Sequence, residues 1–255
     1  MSFKIFSCKA PPLGGGGGAG GGGVGCAIIL AGGLGTRLRT VVQDLPKCMA
    51  PVAGKPFLHY VIAHLKKQGV EQFIFSLGYM SYTIMTYVND QYPMINVQYS
   101  IEAAPLGTGG AIRLACEKTT EKNVLVLNGD TLFSLDLATL TSFHNGCGAD
   151  CTLSLKPMQD FDRYGVVEMN EDQSIASFKE KQHYDSGLIN AGVYALNVPG
   201  FMSEPLPEIF SFEKDYLEKY CRERRFYGVV QDTYFIDIGI PEDYSRAQVE
   251  LKEKA

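Results

Sequence analysis

The hydrophobic and polar positions between residues 26 and 128 follow two alternating patterns. Short apolar runs predict four strands, CAIILA, EQFIFSL, INVQYSI and NVLVLN. The stretches between them, KPFLHYVIAHLKKQG, SYTIMTYVND and TGGAIRLACEK, have the spacing of amphipathic helices, and Gly69 is expected to end the first of these. The apolar face of that helix is formed by Phe57, Leu58, Val61, Ile62 and Leu65. This part of the chain is therefore predicted to fold as β-α-β-α-β-α-β.

Beyond residue 150 the pattern changes to strand-like runs separated by turns. CTLSLKPM, YGVVEM, SIASFKEK and GLINAGVYAL have the character of strands and favour antiparallel pairing. We predict a helix over residues 212–222, a strand over 227–230, a strand-like YFIDIG segment and a last helix from Pro241.

Strands joined by helices run parallel, and right-handed crossovers place the helices on both faces of one sheet. The fold class is therefore predicted to be α/β, a Rossmann-like mixed, mostly parallel sheet with helices on both faces. In GGGGGAGGGGVG, ten of twelve positions are glycine, so ordering this run would cost too much conformational entropy. We expect residues 1–25 to be a flexible leader and residues 26–255 to form a single domain with two halves, about 26–150 and about 151–255.

Composition is that of an ordinary globular protein, with 45% hydrophobic and 20% charged residues among 255. Lysine and arginine number 23 and aspartate and glutamate 28, so the net charge is −5, and no basic block could coat a nucleic acid. No segment approaches a membrane span. The seven cysteines form no C-x-x-C pair, which favours free thiols in the cytoplasm over a zinc site.

Two polar motifs follow predicted strands, LAGGLGTRLR after the first and NGDT after the fourth. Because ligands of such sheets bind at the carboxyl ends of the strands, one shared site is expected. The glycine motif is neither a P-loop nor a dinucleotide fingerprint. Gly32, Gly33 and Gly35 would let backbone amides approach an anion, and Arg37 could donate two hydrogen bonds to phosphate. The alternative is a tight turn with solvated cations.

The stretch AGGLGTRL, followed by Lys47 in a Pro-Lys pair, resembles the signature of the sugar-phosphate nucleotidyltransferases. Members of this family have a GT-A-like fold, join a nucleoside triphosphate to a sugar 1-phosphate and release pyrophosphate. Within the family, the chain looks most like the D-glycero-D-manno-heptose 1-phosphate guanylyltransferases. That likeness rests on EAAPLGTGGAI, VLNGDT, DFDRYGVV, SFKEK, GLINAGVY and YFIDIGIPEDY, in this order. It implies transfer of GMP from GTP to the heptose phosphate, giving GDP-heptose for surface polysaccharide.

The resemblance also implies a role for each motif residue, with nucleotide binding in the first half of the domain and sugar-phosphate binding in the second. The implied catalytic residues are Arg37, Lys47 and Asp130. The implied nucleotide-binding residues are Leu30, Ala31, Gly32, Gly33, Gly35, Thr36, Glu102, Gly107 and Thr108. The implied sugar-phosphate-binding residues are Gly165, Glu180, Lys181, Asn190 and Gly192. The implied cofactor is Mg²⁺, held by Asp130 and Asp237.

The chemistry of the reaction agrees with these roles. Attack by a phosphate oxygen on an α-phosphorus brings two polyanions together, so the site must neutralise charge and align the reactants. Mg²⁺ prefers one or two carboxylates together with water and phosphate oxygens. A covalent nucleophile is not required, and the sequence offers no convincing Ser-His-Asp arrangement.

Glu102 bears on the choice of base, since it stands five residues before Gly107, where pyrimidine-using relatives have a base-reading glutamine. An ionised carboxylate only accepts hydrogen bonds. Guanine offers two adjacent donors, whereas uracil and thymine offer one donor between two carbonyl oxygens, so Glu102 favours guanine. The alternative is a solvated glutamate at a strand end.

Three further matters stay open at this point. The preference for heptose over hexose rests on resemblance, because Asp160, Asp162, Arg163 and Tyr164 could serve several sugars. Cys48 and Gln182 stand where the family usually has proline. A UTP- or dTTP-dependent hexose 1-phosphate enzyme, and an inactive sugar-nucleotide-binding subunit, are the alternative functions. GTP and a sugar 1-phosphate are the expected partners, with a homo-oligomer as a further expectation.

Overall fold

The computed structural model describes residues 25–33 and 44–252. Its strands are β1 (Cys26–Leu30), β2 (Pro51–Val52), β3 (Lys55–Pro56), β4 (Gln72–Leu77), β5 (Asn96–Ile101), β6 (Asn123–Asn128), β7 (Thr131–Phe133), β8 (Cys151–Phe161), β9 (Val167–Met169), β10 (Ile175–Phe178), β11 (Tyr184–Asn197), β12 (Phe226–Val230) and β13 (Phe235–Asp237). Its α-helices are α1 (Phe57–Lys67), α2 (Ser81–Gln91), α3 (Gly107–Cys116), α4 (Leu137–Cys147), α5 (Val198–Met202) and α6 (Pro241–Glu250). A 3₁₀ turn (Lys47–Met49) and a π-helix (Phe212–Glu218) complete the elements.

Seven strands form one sheet in the order β12-β8-β11-β6-β1-β4-β5. Strands β6, β1, β4 and β5 run parallel to one another, and β12 runs parallel to β8. Strand β11 is antiparallel to both of its neighbours, β6 and β8. The predicted fold class, a mixed and mostly parallel sheet, is confirmed. Strands from before and after residue 150 share this sheet.

Helices cover both faces of the sheet. Alternate residues of β1 face opposite sides, and they pack into two different cores. Ala27 and Ile29 belong to a core that includes the apolar faces of α1, α2 and α4. Cys26 and Ile28 belong to a second core, which includes residues of α3 and the π-helix. The predicted arrangement of helices on both faces is therefore also confirmed.

Helix α1 illustrates how closely the sequence determines an element. The five residues of its predicted apolar face are all buried. Gly69 follows the helix with φ +84°, and the amides of Gly69 and Val70 donate to the carbonyls of Lys66 and Leu65 at 3.0 and 3.1 Å. This pattern is a Schellman motif, in which the left-handed residue is usually glycine.

The predicted helix over residues 212–222 is a π-helix from Phe212 to Glu218 followed by a short helical turn. The other predicted helices and strands are present. Among the described helices, none combines the length and apolar character that a bilayer span requires. The predicted leader lies outside the described residues, apart from Gly25.

Candidate active site

The loops after β1 and β6 emerge side by side from the sheet. The two strands are parallel neighbours in which Leu30 is paired with Asn128, and the Gly129 amide donates to the Leu30 carbonyl at 2.8 Å. The glycine motif and the NGDT motif therefore meet at one edge of the sheet, as predicted. Gly35, Thr36 and Arg37 of the glycine motif lie outside the described residues.

Lys47, Asp130 and Asp237 are brought together from three distant parts of the chain. Cys48 and Met49 are buried in the 3₁₀ turn and hold Lys47 at its start. Strand β7 pairs with β13, and the Ile238 amide donates to the Asp130 carbonyl at 3.1 Å, so the two aspartates become neighbours. The Lys47 Nζ lies 2.5 Å from Asp130 Oδ2 and 3.4 Å from Asp237 Oδ1.

The electrostatics of this cluster follow from burial and from the proximity of two like charges. Burial and the neighbouring Asp130 carboxylate raise the pKa of Asp237 above its usual range. Burial by itself would lower the pKa of Lys47, but the two carboxylates raise that pKa above its usual value. The ammonium group of Lys47 is therefore firmly protonated between them.

Gly239 lies directly beside the charged groups of the cluster, and its lack of a side chain leaves room for them. The Gly239 amide donates to Asp237 Oδ1 at 2.8 Å. A Cβ atom at this position would lie 2.9 Å from Asp237 Oδ1 and 3.0 Å from Lys47 Nζ. Any larger residue would displace one of these charged groups.

The donor set of the cluster fits Mg²⁺. Asp130 and Asp237 supply two carboxylates, which is the number that Mg²⁺ uses when phosphate oxygens and waters supply its other ligands. Within residues 25–33 and 44–252, no group of three or more His, Cys, Asp or Glu side chains could hold a metal ion. The pair suits a metal that arrives together with a phosphate rather than a closed structural site.

Glu102 lies next to Gly32, across the start of the glycine motif. A Cβ atom on Gly32 would lie 3.1 Å from Glu102 Oε1 and 2.9 Å from the Gly78 amide nitrogen. The other carboxylate oxygen, Oε2, accepts a hydrogen bond of 2.9 Å from the Leu106 amide. A Cβ atom added to Gly33 would meet no described atom within 4 Å. The structure thus brings Gly32 and Glu102 together, and no described residue crowds Gly33.

Gly107 and Thr108 begin α3, and their contacts are with the later segment 208–213. Gly107 has φ +72°, and a Cβ atom there would lie 2.5 Å from the Phe210 carbonyl oxygen. The Thr108 hydroxyl accepts from the Phe212 amide and donates to Glu213 Oε2, both at 2.8 Å.

In the second half, Asn190 and Gly192 lie close to the NGDT motif. Asn190 donates to the Tyr194 hydroxyl at 2.8 Å and accepts from the Gly192 amide at 3.0 Å. Gly192 has φ +73°, and a Cβ atom there would lie 2.8 Å from Asn128 Nδ2. Asn128 is the first residue of the NGDT motif, so Gly192 packs directly against the start of that motif.

Gly165, Glu180 and Lys181 lie on the β9–β10 side of the second half. A Cβ atom on Gly165 would lie 2.5 Å from the Lys179 carbonyl oxygen, so that the two chain segments can touch only through glycine. Glu180 and Lys181 are exposed on the segment between β10 and β11. Among the described residues, no hydrogen bond or ion pair joins Lys181 to Asp130 or Asp237.

Arg163 connects two segments of the chain, a role that the sequence did not define. Its guanidinium Nη2 lies 2.7 Å from the Tyr164 hydroxyl and 2.6 Å from Asp243 Oδ2 on α6. The Tyr164 ring also contacts Phe235, with centroids 6.0 Å apart. These contacts join the loop before Gly165 to the segment that carries Asp237, and the DFDRYGVV and PEDY motifs were the only signal of it.

Comparison with known proteins is informative across this whole region. Residues 26–254 match the family model described as nucleotidyl transferase. The chain belongs to this family. The nucleotidyltransferase relatives include D-glycero-alpha-D-manno-heptose 1-phosphate guanylyltransferases from two bacteria. The protein from Aneurinibacillus thermoaerophilus is 54% identical over 226 residues, 89% of this chain and 98% of that protein. The protein from Campylobacter jejuni subsp. jejuni serotype O:2 is 44% identical over 218 residues, 86% of this chain and 96% of that protein.

A solved nucleotidyltransferase structure has the same architecture. HddC from Yersinia pseudotuberculosis, complexed with GMP-PN, matches with a TM-score of 0.81 and 39% sequence identity, covering 89% of this chain and 99% of HddC. The predicted family membership, and the predicted likeness to the heptose 1-phosphate guanylyltransferases, are confirmed. The individual residue roles stay predictions.

Proposed function

We propose that this nucleotidyltransferase transfers GMP from GTP to D-glycero-D-manno-heptose 1-phosphate, forming GDP-heptose and releasing pyrophosphate. The observation that carries the proposal is the cluster of Lys47, Asp130 and Asp237 at the carboxyl edge of the sheet. Such a cluster suits phosphoryl chemistry, in which the protein mainly positions groups and neutralises charge. The high identity to the two heptose 1-phosphate guanylyltransferases supports the choice of substrates.

In the proposed reaction, an oxygen of the sugar 1-phosphate attacks the α-phosphorus of GTP. A bond forms between this oxygen and the α-phosphorus, while the bond from the α-phosphorus to the oxygen bridging to the β-phosphorus breaks, and the electron pair leaves with pyrophosphate. The protonated Lys47 would neutralise the phosphate under attack, and Arg37 the β- and γ-phosphates. Asp130 and Asp237 would hold Mg²⁺, which supplies positive charge to the phosphate oxygens when it is bound.

Glu102 supports GTP as the donor. Its carboxylate borders Gly32, where the predicted base and ribose site begins, and it can accept hydrogen bonds from N1–H and the 2-amino group of guanine. Leu30, Ala31, Gly32 and Gly33 would form the rest of that pocket, together with Gly35 and Thr36.

The second half would bind the acceptor. Gly192 packs against Asn128 of the NGDT motif, and Asn190 accepts from the Gly192 amide; both residues would face the sugar hydroxyls, together with Gly165. Glu180 and Lys181 are exposed. We infer that Lys181 forms an ion pair with the phosphate of the sugar 1-phosphate when this substrate binds. We further propose that the enzyme acts in the cytoplasm in polysaccharide biosynthesis. The expectation of a homo-oligomer stays a prediction.

The test is pyrophosphate release with Mg²⁺ over a grid of nucleotides and acceptors. GTP, ATP, UTP, CTP and dTTP would each be paired with mannose, glucose and heptose 1-phosphates. A strong signal with GTP and heptose 1-phosphate alone is expected. Pyrophosphate release with UTP or dTTP and glucose 1-phosphate would contradict the proposed donor and acceptor. No release with any pair would favour the alternative that the protein is an inactive sugar-nucleotide-binding subunit.

The role of Glu102 has its own prediction. Replacing Glu102 by Gln leaves only one acceptor oxygen on that side chain and adds a donor, so the preference for GTP over the other nucleotides should fall by about tenfold. The measurement is kcat/KM for each nucleotide. Glu171→Gln, an exposed change between β9 and β10, is the control. Unchanged GTP selectivity in Glu102→Gln would remove the base-reading role.

A further inference from the structure

Residues 206–213, called here the support segment, lie against the start of α3 and the turn that carries Glu102. The backbone of Leu106 joins the two parts: its N–H donates to Glu102 Oε2 at 2.9 Å, and its carbonyl accepts from the Phe210 amide at 3.0 Å. The position of the Glu102 carboxylate is therefore linked to the support segment through one residue.

Three glycines at the start of α3 allow this close contact. A Cβ atom would lie 2.5 Å from the Phe210 carbonyl oxygen at Gly107, 2.1 Å from the Phe210 ring at Gly109 and 2.4 Å from the Glu208 carbonyl oxygen at Gly110. Gly109 also donates its amide to the Phe210 carbonyl at 3.0 Å. The glycines of this motif thus serve packing against the support segment, which is a physical reason for their presence that involves no nucleotide.

Two side chains of α3 fasten the support segment. Arg113 Nη1 donates to the carbonyls of Leu206 and Pro207 at 3.0 and 3.1 Å, and its guanidinium lies 4.9 Å from the centroid of the Phe210 ring. The Thr108 hydroxyl bonds to both Phe212 and Glu213. Phe212 is fully buried, so the amide that Thr108 accepts from has a fixed position in the core.

We propose that Thr108 and Arg113 are positioning residues for base selection, which hold the support segment and through Leu106 orient the carboxylate of Glu102. This inference rests on the proposed function, since it needs Glu102 to read guanine. It gives Thr108 a role different from the direct nucleotide contact predicted from the sequence. Guanine offers two donors to Glu102, whereas adenine presents an acceptor nitrogen at its N1 position. A displaced carboxylate therefore weakens GTP use and penalises ATP less.

The experiment compares kcat and KM for GTP and ATP, at saturating heptose 1-phosphate, in wild type, Thr108→Val and Arg113→Met. Each variant removes hydrogen bonds to the support segment, so the ratio of kcat/KM for GTP to that for ATP should fall by about fivefold or more. The change should appear in KM for GTP, with kcat at saturating GTP within about twofold of wild type, because the charged cluster is untouched. Thr108→Ser keeps the hydroxyl and should keep the wild-type ratio.

Matched controls use the same substitutions elsewhere. Thr139→Val removes a hydroxyl that donates to Asp136 at the start of α4, and Arg225→Met removes an exposed ion pair with Asp150. Both should keep the wild-type ratio. If Thr108→Val fails to fold, Arg113→Met decides the question.

The outcomes separate the two levels of the proposal. A wild-type protein without a preference for GTP overturns the proposed function and this inference together. A wild-type preference for GTP that Thr108→Val and Arg113→Met both keep overturns this inference alone. If Thr108→Val raises KM equally for GTP and ATP, Thr108 contacts the shared part of the nucleotide directly, and its positioning role is wrong.

Discussion

Lys47 is the residue on which the charge balance of the site depends. Its single positive charge faces two aspartates, so the cluster as a whole is negative. The pKa of Asp237 is raised, because burial and the proximity of Asp130 disfavour its ionised form. A cation that joins the cluster relieves this repulsion, which is a physical reason for the cluster to bind Mg²⁺.

Asp237→Asn should therefore separate activity from stability. We expect turnover to fall on the order of 10²–10³-fold, because a group that stabilises charge in the transition state is lost. The melting temperature at pH 7 should be unchanged or higher, because the raised pKa of Asp237 means that its ionised form is disfavoured in the folded protein. Pyrophosphate release and calorimetry measure the two effects.

The matched control for that change is Asp232→Asn, since Asp232 is exposed and its ion pair is with Lys156 rather than with Lys47. Asp232→Asn should retain wild-type turnover. Full activity in Asp237→Asn would show that Asp237 is not needed for catalysis and would end its assignment as a metal ligand.

His144 is a second residue with an identifiable electrostatic cost. It is buried, its Nδ1 lies 3.0 Å from the Thr152 hydroxyl, and burial lowers its pKa to about 4. In the unfolded chain the pKa is near 6.5, so between pH 6.5 and 4 the unfolded state binds the proton and the folded state does not. The contribution of His144 to stability is complete above pH 6.5 and falls by about 3 kcal/mol as the pH approaches 4.

Chemical denaturation at a series of pH values tests this expectation. In His144→Gln, the decrease in the free energy of unfolding between pH 6.5 and 4 should be smaller than in wild type. His183→Gln changes a histidine whose side chain is 63% exposed and should leave the decrease as it is. An identical pH dependence in wild type and His144→Gln would contradict the assignment.

At the scale of elements, α3 and α4 each contain glycine for different reasons. Gly109 in α3 lies against the Phe210 ring, so an alanine there must overlap it. Among the described residues, Gly146 in α4 has no atom within 4 Å of an added Cβ. Gly109→Ala should destabilise the protein by about 2 kcal/mol or more, whereas Gly146→Ala should stabilise it by about 0.5–1 kcal/mol. Thermal unfolding measures both, and a neutral Gly109→Ala would show that α3 and the support segment can move apart.

Most elements could be predicted because their signal is local. Between residues 26 and 128, the apolar run or helical spacing that predicts each element lies within that element. The sequence predicts a helix over residues 212–222, and the structure adds that Phe212–Glu218 is a π-helix. Phe212 packs against the rings of Tyr194 and Phe201, and these contacts between distant segments are not contained in any short window of the sequence.

The same distinction applies to the candidate site. Lys47, Asp130 and Asp237 could be selected from motifs, and the structure places them together. The contact of Thr108 with Glu213, and of Arg163 with Asp243, joins segments far apart in the sequence and has no periodic signal. Such contacts become visible only when the sheet has fixed which segments are neighbours.

At the scale of the whole molecule, substrate binding should be coupled to global stability, since ligands that bind only the folded state stabilise it. GTP with Mg²⁺ at about 100 times its dissociation constant adds about 2.7 kcal/mol, or roughly 5–10 °C in melting temperature for a domain of this size. Scanning fluorimetry should show this shift for GTP and a smaller one for ATP at the same concentration. Equal shifts for both nucleotides would contradict guanine selectivity.

The strand order also governs how the protein can assemble during synthesis on the ribosome. Strands β1, β4, β5 and β6 all precede residue 129, so they leave the ribosome before the strands that complete the sheet. One edge of β6 stays unpaired until β11 has been synthesised, and an unpaired strand edge is a site for aggregation. Asp237 emerges still later, with β13. We therefore expect a nascent chain to complete its four parallel strands before either the support segment or Asp237 has been synthesised.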